Sequence, residues 1–527
     1  MATVLRTPVR VPAWLLAAIG ATLWLLLAPR TPDLAAQVFR AGLWASDGFE
    51  VWNGNWYGGH HLPGYSLTFP PLGAWFGPRV VGAVAAVASA VLFDRLARAH
   101  VGDRARWGVA WFAAATTCDL LIGRLTFGLG VAVGLGALLA LQRDRPRTAA
   151  ALAVVCAATS PVAGAFLALA GSAVALTAPA RRAGLALVAA AGATIAVLVV
   201  AFPEGGRQPM SLGAVCAIAG FSLALAVLLP ARERTLRVGA LLYLLAGLAA
   251  FLVATPMGSN VARLGATFAG PLLIIAAWSP HAARWRRAAI VALAVGMAAW
   301  QWLAPIREVA KGAGDPSTSA AYHAPVAAFI AAQGGPLGRV EVPFTRGHWE
   351  AVHLGRRLPL ARGWETQLDT RYNPLFYDGT IDARSYRAWL RRTAVRWVAV
   401  PDAPLDPSGR AEAALVAQGL PYLRRAWADA HWVVYEVRDP APLARGPAEV
   451  VRLDRDEVVL DVRAVAPIVL AVHHTPYWRA DQPGACVGPQ GRWTRVVPTR
   501  PGRLTLRASF APDRILRRDA RCTPRGP

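Results

Sequence analysis

The sequence predicts an α-helical polytopic membrane protein with a C-terminal extramembrane region that is first α/β and then all-β. Three observations carry this expectation. Apolar runs follow one another from residue 11 to residue 303, broken by short arginine-bearing loops. Mean hydropathy is +0.37, and only 16% of the 527 residues are charged, too few to cover the surface of a soluble chain this apolar. The basic residues also alternate between rich and poor loops along the chain.

A run of ~18 or more apolar residues is long enough to cross a bilayer. By this rule about eleven spans are expected, at 11–27, 80–97, 107–122, 127–141, 149–159, 162–177, 184–202, 212–229, 238–254, 266–278 and 288–303. Ser160-Pro161 divides one long apolar stretch. Proline disfavours helix at the residue before it, so this stretch is two short helices or a broken helix with a re-entrant part. The first run is followed by Pro29-Arg30 rather than small residues, so it reads as a retained span and not a cleaved signal.

Arginine placement sets the orientation. With Arg6 and Arg10 in the cytoplasm, the inner loops carry Arg95, Arg98, Arg104 and Arg106; Arg143, Arg145 and Arg147; Arg181 and Arg182; Arg232, Arg234 and Arg237; and Arg284, Arg286 and Arg287. The short outer loops carry only Arg124, Arg207 and Arg263. Basic residues concentrate on the cytoplasmic side, and an odd number of spans places the C-terminal region outside. The formal net charge of +24 then belongs to loops facing anionic lipid. No nucleic-acid-binding motif accompanies it, so nucleic acid is not an expected partner.

The chain thus divides into a membrane domain at 1–304, with its first outer loop at 30–79, a linker at 305–319, an α/β module at 320–440, a β-sandwich at 445–515 and a tail at 516–527. Lys311-Gly312-Ala313-Gly314-Asp315-Pro316-Ser317 reads as flexible. Helices are expected at 320–333, 382–392 (Asp382 as N-cap) and 407–418, with strands at 339–344 and 395–400. Short strands between Gly/Pro turns follow at 450–462, 468–473, 493–497 and 504–510. Cys118, Cys156 and Cys216 lie in or beside apolar runs, where a thiol acts as a small hydrophobe. Cys486 and Cys522 lie outside, where an oxidising compartment allows a disulfide between them.

The first outer loop holds the densest chemistry: Asp47, Glu50, Trp52, Trp56, Tyr57, His60 and His61, with Trp44 and Tyr65 nearby. An interfacial aromatic belt accounts for one or two of these aromatics, not for paired acids and paired histidines as well. Aromatic faces beside hydrogen-bonding acids suit a sugar. Asp47 or Glu50 can act as a general base on a hydroxyl. No metal or cofactor is expected, although either acid has the chemistry to hold a divalent ion. Asp119, Arg124 and Arg263 sit at the outer ends of spans. An arginine at that depth suits a phosphate, and a snorkelling surface ion pair is the structural alternative. In the C-terminal region Glu365, Asp369, Arg371, Tyr372, His473 and His474 stand out, and surface charge or packing explains most of them. No P-loop, Rossmann fingerprint, GxSxG or HExxH is present, which argues against an ATPase, an NAD enzyme, an ordinary serine hydrolase and a zincin.

This layout resembles the GT-C class of membrane glycosyltransferases. The stretch Tyr57–Leu72, with His61-Leu62-Pro63-Gly64 and Phe69-Pro70-Pro71-Leu72, is also similar to bacterial multi-pass proteins that carry a 6-pyruvoyl-tetrahydropterin synthase-related label. The GT-C resemblance implies a polyprenyl-phosphate-linked sugar donor, inversion at the anomeric carbon, and transfer outside the plasma membrane to a glycan, lipid or protein acceptor. It implies that Asp47, or second Glu50, is the catalytic acid. Arg124 and Arg263 would hold the donor phosphate, and Trp52, Trp56, Tyr57, His60 and His61 would line the sugar site. The loop has no Asp-x-Asp or Glu-x-Asp, and the outer region has no Trp-Trp-Asp-Tyr-Gly. Metal-independent transfer and a non-catalytic relative therefore both stay open. Two alternatives stand beside this. Asp94-Arg95-Leu96-Ala97-Arg98 faintly resembles the acidic–basic loop of major-facilitator transporters, and the outer region would also serve a non-enzymatic envelope scaffold.

Overall fold

The computed structural model describes residues 12–177, 179–278 and 283–516. From the N-terminus the helices are α1 (Ala13–Leu27), α2 (Pro32–Asp47), α3 (Phe69–Phe76), α4 (Pro78–Val101), α5 (Arg106–Ile122), α6 (Leu125–Gln142), α7 (Pro146–Thr159), α8 (Pro161–Thr177), α9 (Arg181–Ala201), α10 (Leu212–Leu228), α11 (Arg234–Leu252), α12 (Ala262–Ala277) and α13 (Arg284–Gly312). Each expected span coincides with one of them, and α2 and α3 are additional. Six helical stretches among the described residues are long and apolar enough to cross a membrane, or seven if α1 and α2, bent by 80°, form one span. This is fewer than the eleven expected. The shortfall lies mainly in α7, α8 and α10, which have 14, 17 and 17 residues. At ~1.5 Å per residue these rise roughly 20–25 Å, less than the ~30 Å hydrocarbon layer.

The bundle turns its larger aliphatic side chains outward. α1 buries Ala13, Ala17, Ala21 and Trp24 and exposes Ile19, Leu23, Leu26 and Leu27. Val197, Val199 and Val200 of α9 and Leu241, Leu245 and Leu252 of α11 are exposed as well. Contiguous apolar surface on this scale suits lipid, not water. Small residues hold the helices together, as membrane packing favours. A Cβ on Gly171 of α8 would lie 2.9 Å from the Gly184 carbonyl of α9, and one on Gly184 would lie 2.7 Å from the Gly171 carbonyl.

The loop after α2 forms a two-stranded ribbon of β1 (Trp52–Asn53) and β2 (His60–His61). The C-terminal region opens with α14 (Ala320–Ala331), followed by β3 (Arg339–Glu341), α15 (Glu350–His353), α16 (Thr366–Tyr372), α17 (Ala383–Arg392), β4 (Val395–Pro401), α18 (Pro407–Ala417), β5 (Leu423–Ala428) and β6 (Trp432–Val437). Its sheet has the order β3-β4-β6-β5, with β3 parallel to β4 and the rest antiparallel. Two antiparallel sheets follow. β7 (Ala444–Arg445), β10 (Ile468–His473), β12 (Cys486–Gln490) and β13 (Trp493–Val497) form one, in the order β12-β13-β10-β7. β8 (Ala448–Leu453), β9 (Glu457–Val462), β11 (Trp478–Ala480) and β14 (Gly502–Ala508) form the other, in the order β11-β14-β9-β8.

Three expectations change. The segment expected to be a linker from residue 305 stays helical to Gly312, because Ile306, Arg307, Glu308, Val309 and Lys311 continue the helix beyond the apolar run. Asp315 then caps a short 3-10 turn through the Ser317 amide at 3.0 Å. The single strand expected at 450–462 is two, because Asp454-Arg455-Asp456 makes a turn closed by Asp454 N donating to Glu457 O at 2.8 Å. The β5–β6 hairpin was not foreseen. The Cys486–Cys522 pairing reaches outside the described residues at Cys522.

The α/β module encloses a charged centre. Arg362 is 1% exposed and sandwiched between the Phe344 and Phe376 rings, 3.8 and 3.9 Å from their centres. Its Nη2 donates to Asp369 Oδ2 at 2.6 Å, and Glu412 and Glu341 approach within 3.5 and 3.8 Å. One cation does not neutralise three buried carboxylates. Burial and the neighbouring Glu412 charge push the Glu341 carboxyl well above its usual range. Burial also raises Glu412, to about 7.

The ribbon after α2 joins this region to the bundle. Gly54 N donates to Arg455 O at 2.5 Å, Leu360 N to Asn55 O at 2.7 Å and His473 N to Gly58 O at 2.7 Å. The first loop and the C-terminal region therefore share one end of the bundle. The basic loops meet at the other end, where His100 bonds Glu233 at 2.9 Å and Arg286 donates to the Leu228 carbonyl at 2.6 Å.

Candidate active site

The turn between α1 and α2 begins with Ala28 in the left-handed region (φ 44°). Thr31 precedes α2, Pro32 opens it and Asp33 lies in its first turn, a combination that favours helix initiation. Thr31 Oγ1 donates to the Ile122 carbonyl at 2.9 Å, which ties α2 to the end of α5. Gly123 has φ +89°, and a Cβ there would sit 2.4 Å from the Leu34 nitrogen. Only glycine admits that backbone approach. It brings Asp33 beside Arg124, whose Nε donates to Asp33 Oδ2 at 3.3 Å.

Two further charges converge here. Asp119 lies one turn before the end of α5, and Arg263 lies in the first turn of α12. Asp33, Asp119, Arg124 and Arg263 are all within electrostatic reach of one another. The Arg263 guanidinium carbon lies 5.5 Å from the centre of the Phe127 ring, and its Nε has no hydrogen-bond partner among the described residues. Asp119 and Arg124 line a narrow cleft that continues between Gly82, Ala86, Phe112 and Val131 of α4, α5 and α6, with Ser89, Thr116 and Thr267 also in its lining. The cleft is charged at one end and mostly apolar along its walls.

From Asp33 a polar stripe runs along α2 through Gln37 and Arg40 to Trp44, at the spacing of one helix face. Gln37 Nε2 donates to the Tyr65 hydroxyl at 3.0 Å. Arg40 lies over the Tyr65 ring at 3.6 Å and pairs with Glu365.

The acids singled out in the loop lie elsewhere. Asp47 ends α2 and pairs with Arg455, from the β8–β9 turn, at 2.6 Å. It is fourteen residues beyond Asp33 on the same helix, roughly 21 Å away. That is too far to act on an atom bound by Arg124, so the pairing of Asp47 as base with these arginines is corrected. Glu50 lies with Asp47, outside the Asp33 cluster. Burial, joined by the charges of Asp456 and Asp47, pushes the Glu50 carboxyl up to about 7 against Arg455.

The aromatics and histidines are not on open display either. Trp52, Trp56, Tyr57, His60 and His61 are all buried between the bundle and the C-terminal region. Trp56 stacks between Phe39 (4.1 Å) and His60 (5.4 Å), and Trp52 meets Trp478 edge-on at 6.0 Å. Neither ring nitrogen of His60 has a partner among the described residues, and burial lowers its pKa. His61 bridges Glu204 Oε1 at 2.6 Å and Thr475 Oγ1 at 2.9 Å. Burial alone would raise Glu204, but the charge and hydrogen bonds of His61 outweigh it and hold the carboxyl down at about 2. These five residues knit the interface, so their expected place on a sugar-binding face is corrected to interior packing. Of the residues expected to carry the chemistry, the structure unites Arg124 and Arg263 and adds Asp33, which sequence reasoning passed over. The signal for it was Thr31-Pro32-Asp33, a helix start directly after the first span. Among the described residues no group of three or more His, Cys, Asp or Glu is placed to hold a metal ion.

No protein-family model matches the chain. No curated protein matches it either. Among solved structures it is similar to the arabinofuranosyltransferase AftD from Mycobacteria, solved by single-particle cryo-EM, at 17% identity and a TM-score of 0.42 over 85% of this chain and 40% of that one. A mutant of that enzyme in two classes gives 17% and 19% identity, with TM-scores of 0.43 and 0.40, over 82% and 80% of this chain. The chain spans about two fifths of the length of these structures (40–42%). A likeness at these scores assigns neither a fold family nor an activity to this chain. None of the three supports the pterin synthase-related resemblance.

Proposed function

We propose that the chain is a membrane glycosyltransferase that moves a sugar from a polyprenyl-phosphate donor to a cell-envelope acceptor on the outer face of the plasma membrane. In this reading the N-terminus and the basic loops are cytoplasmic, and the C-terminal region is extracytoplasmic. One observation carries it: an Asp33–Arg124 pair with Arg263 and Asp119 beside it, at the charged end of a cleft whose walls are apolar helices.

Each part has a chemical task. A polyprenyl chain suits the apolar walls. Arg124 and Arg263 bind the phosphate and stabilise the charge that grows on it as the anomeric C–O bond breaks. Asp33 takes the proton from the acceptor hydroxyl as its oxygen attacks the anomeric carbon from the opposite face. The sugar is transferred with inversion, and polyprenyl phosphate is released. Asp119 fixes the Arg124 and Arg263 side chains. No step is routed through a metal or cofactor.

The test is binding of decaprenyl phosphate, the leaving group, to the full chain in nanodiscs, paired with transfer from decaprenyl-phosphate-linked sugars. R124M and R263M are each expected to weaken binding and slow transfer at least tenfold. Wild-type affinity in both variants would overturn the reading. Transport is not favoured: Asp94, the acid of the transporter-like loop, pairs locally with Arg98 one turn away at 2.5 Å.

A further inference from the structure

A second cleft lies beyond the Asp33 cluster. It opens to solvent and is walled by Arg40, Leu43 and Trp44 of α2 and by Phe49, Glu50 and Leu62 of the following loop. Two buried polar groups inside it are incomplete. Arg40 is 3% exposed and gives one nitrogen to Glu365, while its Nε and Nη1 have no partner among the described residues. Glu50 Oε2 is buried and equally unpartnered. A buried group left without a hydrogen bond is costly, so two in one cleft point to a ligand that completes them.

The chemistry of that ligand follows from the walls. Glu365 already balances the Arg40 charge, so the free Arg40 donors call for neutral oxygen acceptors. Glu50, with its affinity for a proton raised to near neutrality, bonds a hydroxyl whether or not it is protonated. An anion would face both Glu50 and Asp47. A hydrocarbon would leave both polar groups unmet. Trp44 and Phe49, edge to face at 5.9 Å, give the apolar surface that the C–H face of a sugar ring packs against. Arg40 lies roughly 10 Å and Trp44 roughly 17 Å along α2 from Asp33, so one monosaccharide cannot reach both places.

We infer that this cleft is a distal subsite for a neutral oligosaccharide acceptor, in which Arg40 and Glu50 bond the hydroxyls of one unit and Trp44 packs on its face. The word acceptor rests on the transferase reading; the binding does not.

The probe is a panel of fluorescently labelled neutral tetrasaccharides of glucose, mannose, galactose and arabinose, titrated against the full chain in nanodiscs, with thermal unfolding as the folding control. At least one is expected to bind, and E50L and W44A are each expected to weaken it at least tenfold at unchanged Tm. R40M is a third variant, read only if it folds. The inference is overturned if no member binds, if E50L and W44A both leave affinity unchanged, or if octyl phosphate displaces the tetrasaccharide as well as octyl glucoside does. Tetrasaccharide binding without transfer from any donor would sink the transferase reading alone. Transfer without such binding would sink this subsite alone.

Discussion

Replacing Asp33 by asparagine keeps the size of the side chain and removes its charge. The structure separates what this does to stability from what it does to chemistry. Asp33 and Arg124 are 23% and 27% exposed and 3.3 Å apart, and such a pair contributes about 0–1 kcal/mol to stability. Loss of a general base costs about 10²–10⁴ in rate, or about 3–5 kcal/mol of barrier. D33N is therefore expected to reduce transfer at least a hundredfold with little change in Tm. Asp47 supplies the contrast. Its partner is Arg455 and it lies roughly 21 Å away along the helix, so D47N is expected to keep transfer within about threefold, with a stability change of about 1 kcal/mol or less. The assay is transfer of labelled sugar from a polyprenyl-phosphate donor in proteoliposomes, with Tm measured on the same preparations. The reasoning fails if D33N keeps more than a tenth of wild-type transfer, or if D47N loses as much as D33N.

Three further outcomes are expected. G123A places a Cβ 2.4 Å from the Leu34 nitrogen at φ +89°; it should destabilise the fold by more than the ~1 kcal/mol typical of a left-handed residue alone, read as a lower Tm, and reduce transfer. Wild-type thermal stability in G123A would refute the close approach. Folded Glu412 holds its proton up to about pH 7, whereas an unfolded glutamate releases it near ~4.3. The folded state thus binds more protons between those values, and stability is expected to fall as pH rises from about 4.5 to 7. E412Q should flatten that slope in calorimetry of the full chain, and an unchanged slope would count against it. Finally, in a chain stripped of its native cysteines, D378C in the C-terminal region should react with an impermeant maleimide added to intact cells. D144C, in a basic loop, should react only after permeabilisation, and labelling of both in intact cells would refute the topology.

Much of the architecture is legible because the bilayer imposes a simple pattern. An apolar run has one meaning wherever it occurs, and each expected span coincides with a helix. Arg124 and Arg263 are legible for the same reason, as charges where charge is costly. The rest depends on distant residues. α2 carries a start signal at Thr31-Pro32-Asp33, but it is amphipathic: Leu34, Ala35, Phe39 and Leu43 are buried while Ser46 and Asp47 are exposed. Hydropathy therefore reads it as loop, and Asp33 is passed over with it. Trp52, Trp56 and His60 read as exposed sugar-facing groups because nothing near them in sequence covers them. What covers them is Trp478, Gly363 and Glu365, hundreds of positions later. Of Arg362 and its three carboxylates only Asp369 stands out in the sequence, and their meeting does not, since Glu341, Asp369 and Glu412 come from separate elements.

The ribbon wedged between the two halves also dictates the order of biogenesis. Gly59 accepts a hydrogen bond from His473, 414 residues further on. At roughly 5–20 residues per second of synthesis, the ribbon waits on the order of 20–80 s before the strand that shelters it exists. Until then its tryptophans face water or a holding factor. A nascent chain stalled ahead of β10 would be trapped as an unfinished assembly, with its quality judged by the last domain to arrive.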